Sequence, residues 1–256
     1  MLGFNGGLMG VQRTPTTGTA SGLWFQNEQS VAKRAGIWPF GFGIDPNFSD
    51  VSLLLHMDGS NGSTTFTDSS SGNVACVARG NATVSTAQSK FGGASLVING
   101  TSPTCVTCAT TSVHAFGTAD FTIEGWVYLN SIGSDKKIFD CNYVDGVMLQ
   151  LYPTTSSLWV KGTNYDFATT HLPTGQWVHF AVTRASNAIN LWIDGTSRAS
   201  GTNSTNVSAN AELAIGAESV GREGNINGYV DDFRITKNVA RYTSAFTPPT
   251  APFPNA

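Results

Sequence analysis

The chain has 256 residues, 12% of them charged and 40% hydrophobic, and a net charge of −3; that length suits one all-β domain with an appendage and can bury a core without crosslinks. Scattered Lys and Arg form no basic stripe, which excludes nucleic acid and an anionic membrane surface as expected partners. Apolar runs are only strand-length, so no membrane-spanning helix is expected, and the first twenty residues lack the basic start and apolar centre of a secretory signal.

Residues 1–49 differ from the rest. They are rich in Gly yet carry Phe4, Trp24, Phe25, Trp38, Phe40, Phe42 and Phe48, and a disordered linker would lack such aromatics. A short helix is expected from Asn27, a good N-cap, to Gly36, a good stop. The remainder reads as an extended arm with too little regular structure to bury its own rings. Those rings must dock on the β domain, on a sister subunit or on a larger assembly.

From residue 50 the pattern becomes that of short strands. Residues 51–57 (VSLLLHM) form an apolar strand expected to be buried on both faces. The turn-rich loop 58–73 follows, then short strands at 74–78, 82–85, 95–99 and 105–107. Residues 121–129 form the clearest long strand: Phe121, Ile123, Val127 and Leu129 share one face, and Glu124, Trp126 and Tyr128 the other. Hairpin spacing continues through 136–140, 146–152, 157–161 and 165–169.

Residues 175–201 read as a three-stranded meander. Val178, Phe180 and Val182 alternate with polar or small neighbours, as do Ile189, Leu191 and Ile193. Asp194-Gly195 is a strong two-residue hairpin signal, because a type I′ turn needs positive φ at both positions; a looser turn is expected at 185–187. Strands at 212–216 and 228–236 close the series. In the last of these, strict alternation would put Tyr229, Asp231, Phe233 and Ile235 on one face. The Pro-rich segment 247–256 cannot be a central strand. Many short strands with almost no helix indicate a two-sheet antiparallel sandwich.

Few residues stand out for catalysis. A glycosidase needs paired carboxylates, and Glu124 is an isolated strand carboxylate best read as solvated or hydrogen-bonded. His56, His114, His171 and His179 are scattered. The chain is therefore expected not to be an enzyme. Of Cys76, Cys105, Cys108 and Cys141, buried thiols on strands are the first reading, followed by a disulfide and then a zinc site at Cys105-Val-Thr-Cys108. Exposed aromatics that could hold a glycan or a protein are Trp126, Tyr128 and Trp159.

The run WVHFAVT at 177–183 followed by LWIDG at 191–195 resembles laminin-G-like, concanavalin-A-like jelly-roll domains. FTIEGWV at 121–127 and GYVDDFRI at 228–235 extend that resemblance over residues 52–246. It implies an all-β, two-sheet antiparallel jelly-roll sandwich at 50–246, after an extended N-terminal arm at 1–49 and before a Pro-rich tail at 247–256. It also implies that the first and last strands lie side by side, which would bring Asp231 towards Asp58, Asp68 and the 58–73 loop as a calcium site. Gly7-Leu8-Met9-Gly10, Ser21-Gly22-Leu23-Trp24 and Ala35-Gly36-Ile37-Trp38-Pro39 resemble the leaders of small virion proteins in tailed bacteriophages. That second resemblance implies a virion location, a capsid decoration or tail-associated role, and an arm bound to other virion proteins and to sister subunits, for instance in a homotrimer. Surface glycans are the alternative partner.

Overall fold

The alternating apolar pattern becomes sixteen strands in a computed structural model that describes residues 44–109 and 111–256. In chain order they are β1 (Val51–Leu55), β2 (Thr65–Phe66), β3 (Cys76–Arg79), β4 (Thr83–Ser85), β5 (Ser95–Asn99), β6 (Cys105–Cys108), β7 (Phe121–Ser131) and β8 (Lys136–Asp140). Then come β9 (Val147–Leu151), β10 (Thr155–Val160), β11 (Thr163–Ala168), β12 (Trp177–Ala185), β13 (Ala188–Ile193), β14 (Thr196–Thr202), β15 (Leu213–Ile215) and β16 (Asn227–Lys237). The helix expected at 27–36 and the aromatics Phe4, Trp24, Phe25, Trp38, Phe40 and Phe42 lie outside the described residues.

The strands form two eight-stranded antiparallel sheets. Sheet one runs β14-β13-β12-β7-β16-β5-β4, with β1 also paired to β16; sheet two runs β11-β10-β9-β8-β15-β6-β3-β2. One face of each strand turns inward, so Val178, Phe180 and Val182 of β12 and Leu149 and Leu151 of β9 meet in a single core. Phe139 of sheet two stacks 5.9 Å from Phe180 of sheet one and meets Phe233 edge-on at 5.9 Å. Gly125 of β7 makes room there, since a Cβ would sit 3.3 Å from the Phe180 ring and from the Phe233 backbone. Burying such side chains at about 25 cal/mol per Å² is the main force closing the sandwich.

Sheet one is assembled around the last strand. β16 pairs along one side with β7, and along the other with β5 in its first half and β1 in its second. First and last strands are therefore neighbours, as the resemblance implied. The alternation expected for β16 is broken, however: its register shifts between Asp231 and Arg234, with Asp232 at φ 49°. The bulge adds a residue, so Val230, Phe233 and Ile235 enter the core and Asp231 does not interrupt an apolar row.

The meander follows its turn chemistry. Asp194 and Gly195 have φ 46° and 74°, as a type I′ turn requires. The preceding turn is tighter than expected: Ala185 faces Ala188 across the ladder, and Ser186 and Asn187 adopt φ 49° and 75°. Asn tolerates that conformation best among non-glycine residues.

One compact unit is Pro46–Phe253. Phe48, read with the arm, packs with Val51, Leu54 and Phe253 within the sandwich unit. Phe253, read as tail, is buried there. The cysteines divide two ways: Cys76 and Cys108 face each other on β3 and β6 and form a disulfide, whereas Cys105 and Cys141 are buried thiols. The first reading thus fails for one pair, because neighbouring antiparallel strands bring its Cα atoms to 4.3 Å.

Candidate functional site

The outer faces of the two sheets carry similar residue types arranged very differently. On sheet one, Glu124 of β7 is fully buried. Arg234, opposite it on β16, donates from Nε at 3.1 Å and from its terminal nitrogen at 2.7 Å to Oε1. The Tyr242 hydroxyl donates to Oε2 at 2.8 Å, His179 Nε2 lies 3.4 Å away, and Arg241 Nε lies 3.7 Å from Oε1. Burial alone would raise the Glu124 carboxyl, but Arg234, with His179 and Arg241, holds it well below the usual carboxylate range. Of the two readings of this carboxylate, solvated or hydrogen-bonded, the second holds, and Glu124 is the centre of an ion-pair network.

The segment after β16 seals this face. Tyr242 and Phe246 stack at 3.6 Å, the Phe246 ring meets His179 at 5.7 Å and Trp192 at 5.9 Å, and the Phe246 N–H donates to the Gly195 carbonyl at 3.0 Å. A Cβ on Gly195 would collide with the Phe246 backbone. Farther along, Arg234 lies 3.8 Å from the Phe253 ring centre. Trp126 is only 4% exposed, since Lys90 Nζ sits 3.8 Å above its ring and Phe91 meets it edge-on. Tyr128 is held between Trp177 and Tyr229. Of the three aromatics proposed as glycan or protein contacts, Trp126 is therefore buried in the packing of sheet one, while Tyr128 stays half-exposed in a cluster with Trp177 and Tyr229.

The three carboxylates suggested for calcium are not gathered into one set. Asp68 accepts from Leu54 N, Ser70 N, Ser70 Oγ and Val74 N, all at 2.7–2.9 Å, and fastens the 58–73 loop to β1. Asp231 Oδ2 accepts from Lys90 N at 2.7 Å and Phe91 N at 3.1 Å, so its backbone partners come from 90–91 rather than from that loop. The Asp58 carboxylate lies against Gly92, where a Cβ would come within 2.0 Å of it. Asp231 Oδ1 is buried with no hydrogen-bond partner. Burial, with Asp232 and Asp58 adding to it, pushes the Asp231 carboxyl up to about 7. Among the described residues no three His, Cys, Asp or Glu side chains are grouped to hold a metal ion.

Sheet two presents the open counterpart. Trp159 of β10 is half-exposed and, with Tyr143, Tyr152, Met148, Gln150, Asp135, Lys137 and Glu218, lines a cavity of about 320 Å³. Its indole N–H donates to Gln150 Oε1 at 2.8 Å, and Gln150 Nε2 in turn donates to Asp135 Oδ1 at 2.6 Å and to the Tyr152 hydroxyl at 3.0 Å. The nearly buried Lys137 donates to Asp135 Oδ1 at 2.8 Å and lies 3.4 Å from Glu218. Tyr143, 45% exposed on the β8–β9 loop, meets Trp159 edge-on at 5.7 Å. A rigid aromatic wall over a fixed polar floor is what small-molecule sites use. Of these residues only Trp159 was singled out by sequence. The outward set Met148, Gln150 and Tyr152 was legible as the second face of β9, but nothing local placed Asp135 and Glu218 beside it.

Residues 104–241, more than half of the chain, match the family model described as the concanavalin A-like lectin/glucanases superfamily. The chain belongs to that superfamily. Solved structures agree on this concanavalin A-like fold. The binding domain of Paraclostridial Mosquitocidal Protein 1 is 15% identical with a TM-score of 0.59, over 76% of this chain and 50% of that one. Domain 4 of AbnA, an extracellular arabinanase from Geobacillus stearothermophilus solved with arabinotriose, is 22% identical with a TM-score of 0.55, over 73% and 92%. The botulinum neurotoxin serotype G binding domain is 13% identical with a TM-score of 0.58, over 74% and 48%. This chain spans about half the length of the toxin domains it matches. No curated protein matches its sequence.

Proposed function

We propose that this chain is a non-enzymatic structural component of a tailed-phage particle, a capsid decoration or tail-associated protein, with its arm docked on the particle and its jelly roll displayed outward. The observation that carries this reading is that the sandwich is self-sufficient. Its core is filled from both sheets, and its own segment 242–253 covers the outer face of sheet one around Glu124, His179 and Trp192. The arm rings Phe4, Trp24, Phe25, Trp38, Phe40 and Phe42 then serve other virion proteins and sister subunits. The sealed Glu124 network supports a role without catalysis, since its only carboxylate is committed to Arg234 and Tyr242. Removing residues 1–43 should leave a soluble domain of unchanged melting temperature that no longer enters particles. Particles that still incorporate the truncated protein would overturn the anchor.

A second reading, recognition of host-surface glycans by the displayed domain, is favoured by the Trp159 cavity. The arabinanase domain solved with arabinotriose supports it by fold alone. A glycan array probed with the full chain, and repeated with Trp159→Ala, tests it: binding lost with the ring would support the reading, and binding unaffected by its removal would place recognition elsewhere.

A further inference from the structure

The geometry points to a neutral saccharide, rather than an acidic one, as the ligand class of the Trp159 cavity; this rests on the glycan reading above and specifies it. The decisive group is Lys137. It is the only cation among the described residues that line the cavity, and an acidic sugar would need a cation to receive its carboxylate or sulfate. Lys137 is instead only 3% exposed, and its ammonium is spent on Asp135 Oδ1 at 2.8 Å and Glu218 at 3.4 Å, with the Asp135 carbonyl at 3.5 Å. An ammonium has three protons to donate, and three protein oxygens surround this one.

The groups facing solvent have the opposite sign. The Asp135 side chain is 56% exposed and that of Glu218 32% exposed. Two carboxylates against one buried ammonium give the floor a net negative charge, which repels an anionic ligand and accepts hydrogen bonds from sugar hydroxyls. Hydrogen bonds to charged acceptors are stronger than neutral ones, so a polyol is rewarded where an acid is rejected. Repulsion of the wrong ligand contributes to specificity as much as attraction of the right one.

The walls suit the apolar faces of a sugar ring. Trp159 is locked by its bond to Gln150, whose amide is fixed in turn by Asp135 and Tyr152. Tyr143, 45% exposed on the β8–β9 loop, extends the aromatic wall beside Trp159. A volume of about 320 Å³ is at the lower end of small-molecule sites, which suits a terminal sugar rather than a long chain.

The test uses the full chain on an array that pairs neutral oligosaccharides with their sialylated counterparts, followed by calorimetry on the best neutral binder. A neutral glycan should bind at least about tenfold more tightly than its sialylated form, Trp159→Ala should abolish binding, and Glu218→Gln should weaken the neutral glycan about fivefold or more while narrowing that gap. A single cooperative thermal transition would show that the variants fold, and Trp159→Phe should retain part of the affinity. Tighter binding of the sialylated form would overturn the neutral assignment and leave the glycan reading standing. Binding to neither would overturn both.

Discussion

The two outer faces of the sandwich hold the same ingredients: a tryptophan, a carboxylate, a cation and a tyrosine. On sheet one Trp126, Glu124, Arg234 and Tyr242 are sealed under the Lys90 turn and the returning C-terminal segment. On sheet two Trp159, Asp135 and Tyr143 reach solvent around the nearly buried Lys137. What separates the sealed face from the open one is therefore coverage, not residue type. A buried ion pair strengthens as water is excluded and becomes costly to break, whereas an exposed pair contributes little to stability and remains available to a ligand.

The contrast can be broken most severely on the sealed face. Arg234→Met strands the Glu124 carboxylate in a fully buried site, and urea denaturation should show a loss of about 3–5 kcal/mol. A smaller loss would mean that Arg241 and His179 suffice to neutralise Glu124. At the margin of the open sheet, replacing Cys76 and Cys108 together by Ser should cost about 3–4 kcal/mol, the loop entropy of a separation of 32 residues. Denaturation of that double variant under oxidising conditions checks the figure.

A third prediction concerns Asp231. Its carboxyl, ordinarily near 3.8, is raised to about 7 in the folded state. The fold therefore favours the protonated form, and that contribution is complete below about 3.8 and is lost as pH rises through about 7. Asp231→Asn should raise the melting temperature at pH 8 and leave it nearly unchanged at pH 4. Equal gains at both values would mean that the orphaned Oδ1 finds a partner in solution. The same scan tests calcium: an ion held by Asp58 and Asp231 would make EDTA lower the wild-type melting temperature at pH 8, and an unchanged value removes it. The mildest effect belongs to the open face, where Trp159→Ala should cost only about 1 kcal/mol, the value of one hydrogen bond, while eliminating glycan capture. A large loss of stability would show that Trp159 is scaffold too.

Much of this was legible in the sequence. Alternation marked fifteen of the sixteen strands within a few residues and missed only the two-residue β2, too short to show a period. The Asp194-Gly195 turn was readable because its geometry depends on two residues alone. Pairings across long separations were not. Asp232 in a left-handed conformation moves Asp231 off the apolar row, and no neighbouring residue announces that bulge. Glu124 reads as an exposed strand residue until Tyr242 and Phe246 return over it from more than a hundred positions away. The open cavity was half legible, since Trp159 stood out as an aromatic but its carboxylate partners arrive from separate loops.

The central place of β16 bears on how the protein is made. β7 and β5 cannot complete sheet one until a strand synthesised almost a hundred residues after β7 has slotted between them. Until then each carries a bare edge able to pair with another chain. A ribosome that stalls before residue 227 thus releases an aggregation-prone product, and a chain that reaches residue 237 closes its own sheet. Completion of β16 is in this sense the step that removes those edges, and the aromatic segment that follows covers the strand's outer face.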